Sequence, residues 1–437
     1  MQASYLWKKL FTKKHLIELY ENKIKAKPSV GLDKVSPKKF EETLDENVEV
    51  IIRKVRNGSY QFTRYKQLLF TKGPAKPPRT VCVPTLRDKL TTAVLNEILV
   101  GVYGDECKTM MPQLVIEDIK SKVPLYDYFI KLDVRSFYAS IDHDKLFKII
   151  KEKIHKPEIV HLIWNAIRTE TLVYPIKEKM EKKERTIGIP EGLSISNSLA
   201  NIYMLNIDRK YRNEQYISYY RYVDDILILV NEDEFSIVKE EISEDIEELG
   251  LELNEKKDEG KIAESFEYLG YVISLNDEVT VRKSSILKIE QSIEELFRTI
   301  PRDNIAYLQW KLNLKITGFI LNKHKYGWMF FYSQITDKKL LYHLDDVVEK
   351  LIRRYKVEDT IKPKRFVRVF SEMSKALHET KYIPNLDNIS IEDKKKILSE
   401  IYRMDLSEKD ENFIEIQFRR IMKRESRDIE KDIENIS

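Results

Sequence analysis

Apolar residues in the first sixty positions recur at helical spacing, and Phe40, Leu44, Val48, Ile51 and Ile52 mark one face of a helix over Phe40–Val55. The texture then changes. Tyr60–Phe70 is rich in aromatic residues and Thr and reads as extended, while Gly73, Pro74, Pro77 and Pro78 break any helix before Val81-Cys82-Val83. A second helix is predicted over Asp88–Val100. From about residue 129, short apolar runs separated by helices take over, with Phe129–Leu132, Ser218–Tyr222, Ile226–Val230 and Phe266–Ile273 reading as strands. Beyond residue 284 the helical period returns. Ser285 is a candidate cap for a helix carrying Ile289, Ile293, Leu296 and Phe297, and Thr336 for one carrying Leu340, Leu341, Leu344, Val348 and Leu351. The tail from about 361 is helical and highly charged. This order predicts an α+β chain with its sheet in the middle.

Composition narrows the class. With 437 residues the chain can form more than one domain, and 42% apolar residues exclude a disordered protein. The net charge is only +4, so any nucleic-acid surface must come from local clusters. Two cysteines, Cys82 and Cys107, are too few for a disulfide scaffold or a zinc site. No apolar run is long enough for a bilayer, and the first twenty residues are too charged for a signal peptide. A cytoplasmic protein without membrane contact is expected.

The chemistry is carried by acids in apolar surroundings. Tyr222-Val223-Asp224-Asp225-Ile226 sets two adjacent carboxylates between two strand-like runs, a costly arrangement unless the charges are used. A tight turn would account for the pair alone, since Asp is a good turn residue. Phe129-Ile130-Lys131-Leu132-Asp133 ends a further apolar strand in an acid, and side-by-side strands would bring Asp133 and Asp224 to one edge. Their repulsion would call for bound cations, and oxygen ligands suit Mg²⁺. Two ions roughly 4 Å apart can activate an attacking hydroxyl and steady a leaving pyrophosphate.

These motifs, in this order, resemble those of bacterial, non-retroviral reverse transcriptases related to group II intron and retron enzymes. Tyr222-Val223-Asp224-Asp225 is similar to their Tyr/Phe-x-Asp-Asp signature, where RNA-copying viral polymerases usually have Gly before the acids. Asp133 to Tyr138 resembles the first palm motif, in which an aromatic five residues after the aspartate is the steric gate against ribonucleotides. Gly188 to Tyr203 resembles the second, and Leu249 to Lys257 a further one whose lysine protonates the departing pyrophosphate, with Lys257 as the match and Lys256 as alternate. Phe266-Glu267-Tyr268-Leu269-Gly270-Tyr271 is similar to the primer-grip hairpin. In the fingers, Lys72 and Arg79 flank the loop Gly73–Pro78 and resemble the cations that grip the triphosphate; Gly31-Leu32-Asp33 resembles the start of intron-type fingers. The resemblance covers roughly residues 25–275.

What it implies is a right-hand polymerase with helical fingers (1–128), an antiparallel-sheet palm (129–275), a helical thumb (276–360) and a charged helical extension (361–437). Two Mg²⁺ ions, with Mn²⁺ as the alternative, would be held by Asp133, the Val134 carbonyl, Asp224 and Asp225; Lys72, Arg79, Tyr138 and Glu191 would bind the nucleotide. Partners would be dNTPs, an RNA template, the DNA product, a dedicated structured non-coding RNA and a second copy of the chain. Two departures stand out: Glu191 where the family usually carries Gln, and Asn197 where Pro is common. Glu191 resembles the variant of phage-defence enzymes, and Trp310 to Tyr355 with Tyr382-Ile383-Pro384-Asn385 resembles the unassigned bacterial groups, many of which act in antiphage defence. No zinc-finger or endonuclease-like extension follows the thumb, so autonomous mobility is not expected. The alternatives are an intron maturase, an untemplated or protein-primed DNA polymerase, and a nucleic-acid-binding module without turnover. Lys311, Lys315, Lys362, Lys364, Arg365 and Arg368 are weaker candidates for nucleic-acid contact, against a plain reading as solvated helix surface. Asp142 and Asp144 read as helix-capping residues, the histidines as structural, and Asp345-Asp346 as a pair on an amphipathic helix.

Overall fold

The computed structural model describes residues 1–25, 29–70, 78–173, 184–255, 258–275, 278–377 and 379–433. The chain forms two compact units: Met1–Met110 with Tyr128–Glu259, and Met111–Asp127 with Gly260–Ser437.

Unit one begins with helices. The stretch expected as one helix from Phe40 is two, Pro37–Glu42 and Leu44–Arg56, divided at Thr43. The strands of this unit are β1 (Tyr65–Phe70), β2 (Arg79–Val83), β3 (Tyr128–Asp133), β4 (Thr171–Leu172), β5 (Ile217–Tyr222), β6 (Asp225–Val230) and the first half of β7 (Asp258–Lys261), whose last two residues fall in unit two. One sheet has the order β2-β1-β4, and the other, four-stranded, runs β5-β6-β3-β7. β5 and β3 both pair antiparallel with β6. Every residue of β6 is buried, as an internal strand covered on both faces requires. This is the α+β architecture expected: helical fingers and an antiparallel palm sheet.

The helix after β2 runs further than the sequence period suggested, Leu86–Tyr103, because Thr85 caps it by accepting a bond from the Asp88 amide. Asp88 is 2% exposed. Its carboxylate accepts from the Tyr60 hydroxyl at 2.8 Å, the Thr85 hydroxyl at 2.7 Å and the Thr63 amide at 3.1 Å, tying the extended segment to the helix. Burial nevertheless outweighs these donors and pushes its pKa from 3.8 up to about 6. An acid that binds its proton more tightly when folded stabilises the fold below its unfolded pKa and loses that contribution as pH rises through the folded one. The stability of the wild type relative to Asp88→Asn should therefore fall by up to about 3 kcal/mol between pH 4 and pH 6, read by urea unfolding. A pH-independent difference would contradict the burial argument.

Unit two is mainly helical, with Lys283–Thr299, Ile305–Thr317, Lys338–Arg354, Phe366–Ala376 and Glu411–Glu430 as its main helices. Helix Pro112–Lys122 belongs here, where Gln113 donates to the Phe330 carbonyl and Lys120 to that of Gln334. Several local expectations are corrected. Phe266–Ile273 is not one strand but a hairpin of β8 (Phe266–Tyr268) and β9 (Tyr271–Ile273), because Leu269 and Gly270 both take positive φ in the turn. β9 continues antiparallel to β10 (Val279–Val281). A second hairpin, β11 (Phe319–Leu321) with β12 (His324–Tyr326), interrupts what reads as helix; Asn322 and Lys323 make its turn with positive φ. Ser285 lies inside the first turn of helix Lys283–Thr299, whose N-cap is Arg282, and Asp337, not Thr336, caps helix Lys338–Arg354.

Candidate active site

The site is assembled at one edge of the palm sheet. In the antiparallel register of β3 and β6, Asp133 is directly opposite Asp225, and Tyr222 on β5 is opposite Asp225 from the other side. Val223 and Asp224 form the two-residue turn joining β5 to β6. Val223 has φ +59°, a conformation that a β-branched residue adopts only at a cost of about 1–3 kcal/mol.

That turn is held by a residue to which the sequence reading gave no role. Arg221 is 3% exposed and grips Asp208, itself 2% exposed, through two bonds of 2.7 and 2.5 Å. Its remaining nitrogen donates to the Val223 carbonyl at 2.9 Å and to Asn201 Oδ1 at 3.2 Å. The strained turn is thus fixed from behind by a buried guanidinium. Asp208 lies among charged residues in helix Leu205–Asn213, on the buried face with Leu205, Ile207 and Tyr211, and its spacing carries no mark of a partner on β5.

The other acid is also fixed. Asn254 donates from Nδ2 to Asp133 Oδ2 at 2.6 Å, and its amide donates to the Asp133 carbonyl at 2.8 Å. The Val134 amide donates to the Asp224 carbonyl at 3.1 Å, coupling β3 to the acidic turn. Asp133, Asp224 and Asp225 therefore share one edge and, with the Val134 carbonyl, offer the hard oxygen donors that Mg²⁺ takes. Among the described residues no group of three or more His, Cys, Asp or Glu side chains is arranged to hold a metal ion as it stands. The donor chemistry fits, while closure of the carboxylates onto an ion is not a feature of this conformation.

Tyr138 stands beside these acids. Burial first, then the charge of Glu191, push its phenol up to about 12, with Asp224 adding in the same direction and Arg79 opposing. The phenol donates to Asn197 Oδ1. Arg79 pairs with Glu191 at 2.5 Å, and the Cys82 amide donates to the Glu191 carbonyl, so the second palm motif is docked on β2. Two glycines allow the approach. A Cβ on Gly192, at φ +105°, would sit 2.5 Å from the Cys82 carbonyl oxygen, and one on Gly188, at φ +82°, 2.6 Å from that of Ala139.

The structure thus brings together Asp133, Val134, Asp224, Asp225, Tyr138, Arg79 and Glu191. Lys72, Lys256 and Lys257 lie outside the described residues. Asp142 caps helix His143–Lys153, and the buried His143 ring bonds the Gly188 carbonyl. In unit two, the expectation that Lys311 and Lys315 line a nucleic-acid track is corrected. Lys311 is 8% and Lys315 5% exposed; Lys311 pairs with Glu425 and Asp428, and Lys315 with Asp432 at 2.6 Å. The acids come from the tail more than a hundred residues away, so the local basic-aromatic pattern could not reveal them. Lys364 donates to the Tyr382 carbonyl at 2.5 Å, Arg365 reaches the buried Asp345 at 3.2 Å and Arg368 lies over the Tyr382 ring, while Lys362, Arg365 and Arg368 are all exposed.

Residues 70–273 match the family described as reverse transcriptase (RNA-dependent DNA polymerase). The chain carries a reverse transcriptase domain, and group II intron-encoded proteins are among its relatives. It is 24% identical over 222 residues to an uncharacterized 91 kDa protein in the cob intron of Schizosaccharomyces pombe, covering 48% of this chain and 26% of that protein. To the group II intron-encoded protein LtrA of Lactococcus lactis subsp. cremoris it is 25% identical over 173 residues, 38% of this chain and 28% of LtrA. The chain thus spans only 25–28% of the length of these relatives and a Saccharomyces cerevisiae intron protein. Among solved structures, apo telomerase from Candida tropicalis aligns with a TM-score of 0.47 at 14% identity, over 83% of this chain and 72% of that one. No helix among the described residues is long and apolar enough to cross a membrane.

Proposed function

We propose that the protein is an RNA-directed DNA polymerase that joins deoxynucleotides to a primer at the β3–β6 edge. The observation that carries this reading is the opposition of Asp133 and Asp225 across the register, with Asp224 in the adjoining turn, inside the reverse transcriptase domain. The primer hydroxyl oxygen forms a bond to the α-phosphorus of the nucleotide, and the bond from that phosphorus to pyrophosphate breaks. Asp133, Asp224, Asp225 and the Val134 carbonyl would hold two Mg²⁺ ions, which supply activation of the hydroxyl and charge for the leaving group. Positioning and electrostatics do the rest. Arg79, with Lys72, grips the triphosphate, Lys257 protonates the pyrophosphate, and Tyr138 excludes the ribose 2′-hydroxyl.

In this reading the Glu191 carboxylate competes with the triphosphate for Arg79. The pair is partly exposed, so it is worth at most about 1 kcal/mol. Glu191→Gln should lower the nucleotide KM by up to about fivefold, and Arg79→Ala should raise it, in steady-state incorporation assays. A fall in primer-template affinity with nucleotide KM unchanged would move Arg79 to the nucleic-acid track.

On this account the chain divides into fingers, palm, thumb and extension in the order the sequence suggests, with Met111–Asp127 and the segment from Gly260 to residue 275 belonging to unit two and not to the fingers and palm of unit one. Its biological setting is antiphage defence with a dedicated RNA, supported by the resemblance at Glu191 and in the tail. The test is phage challenge of a host expressing the wild type or Asp224→Ala/Asp225→Ala, with sequencing of the co-purifying nucleic acid. Protection only by the wild type is expected, and equal protection by both would mean that synthesis is not how the protein acts.

A further inference from the structure

Pro is common in the resembled family where this chain has Asn197, and the structure gives that asparagine a specific partner. Tyr138 is fixed through its backbone by the Ile189 amide, which donates to the Tyr138 carbonyl at 2.7 Å. Its ring packs at the edge of the core beside Phe137, and at the far end the Asn197 carboxamide oxygen accepts the phenol proton. Asn197 lies in the first turn of helix Ser196–Tyr203, one turn before Asn201 and on the same face. Asn201 is 4% exposed and anchored three ways: its amide donates to the Cys107 carbonyl and the Thr109 hydroxyl, and its oxygen accepts from Arg221, which in turn holds the Val223 carbonyl. One short helix therefore references both the phenol of Tyr138 and the turn that carries Asp224.

We propose that Asn197 is a specificity-determining positioning residue, which fixes the Tyr138 ring against the sugar of the incoming nucleotide through the phenol hydrogen bond. The inference rests on the polymerase reading above and on Tyr138 as the gate. It adds that the gate works as a tethered ring whose hydroxyl matters, where bulk alone would be served equally by Phe. The high phenol pKa keeps the donor protonated across the working pH range, so the tether does not titrate. Asn197 is solvent-exposed at the helix start, so its truncation leaves the core of unit one untouched.

The test is the ratio of kcat/KM for dCTP to that for CTP in wild type, Asn197→Ala, Tyr138→Phe, the double variant Asn197→Ala/Tyr138→Phe, and Tyr138→Val. A ratio measured within one preparation is insensitive to the fraction of active protein. Asn197→Ala and Tyr138→Phe should each lower the ratio by about three- to tenfold, the worth of one neutral hydrogen bond, and the double variant should match the singles. Tyr138→Val should lower it further. A wild-type ratio in Asn197→Ala beside a lowered ratio in Tyr138→Val would overturn the tether and leave the gate standing. Additive losses in the double variant would also overturn it, since Asn197 would then act apart from the phenol. An unchanged ratio in Tyr138→Val, or no incorporation by the wild type, would remove the gate reading and the inference with it.

Discussion

Asp133→Asn and Asp224→Asn should each lower deoxynucleotide incorporation by at least about 10³-fold, corresponding to several kcal/mol of lost transition-state stabilisation. Neither change should unfold unit one. Asp133 ends β3 at the sheet edge and Asp224 sits in the turn, both half-buried, so an amide of the same shape is accommodated at both places. Far-UV circular dichroism and the urea midpoint should stay near the wild type while single-turnover incorporation is lost. A folded Asp133→Asn/Asp224→Asn double variant that still extends a primer would show that the chemistry lies elsewhere.

The largest stability effect is expected behind the site. Arg221→Met leaves the Asp208 carboxylate buried with the Tyr219 hydroxyl at 2.9 Å and with Arg212 no nearer than 3.8 Å. Breaking one side of such a buried pair costs about 3–5 kcal/mol, chiefly from the charge left behind. Urea unfolding of Arg221→Met should show a loss of that size. Replacing both partners, as in Arg221→Met/Asp208→Leu, should recover much of the stability, because no uncompensated charge remains. Incorporation should not recover, since the Val223 carbonyl still lacks its donor and the strained turn bearing Asp224 is no longer fixed. Recovery of activity together with stability would mean that the guanidinium serves the fold alone.

Much of the fold was legible because its periods are local. The apolar runs at 129–132, 218–222 and 226–230 differ by only a residue or two from β3, β5 and β6, and the acids fall where the strands end or turn. The hairpin at Leu269–Gly270 was legible only through its resemblance to the primer-grip hairpin, and the one at Asn322–Lys323 not at all, since a turn made by two residues leaves little mark inside an apolar-aromatic run. Partners distant in sequence were not legible. Arg221 and Asp208, Asn254 and Asp133, and Lys311 with Glu425 are each set by packing, and a lysine among aromatic residues reads alike whether it faces phosphate or a buried carboxylate. Glu191 and Asn197 stood out only as departures from a pattern; their partners, Arg79 and Tyr138, emerge from the folded site.

The most direct test of the account is to supply the full chain, with the nucleic acid that co-purifies with it, with dNTPs and Mg²⁺, and to sequence the DNA that is made. The account predicts DNA complementary to an RNA in the same preparation, absent from the Asp224→Asn preparation. DNA with no complement among those RNAs, or an equal yield from Asp224→Asn, would contradict it.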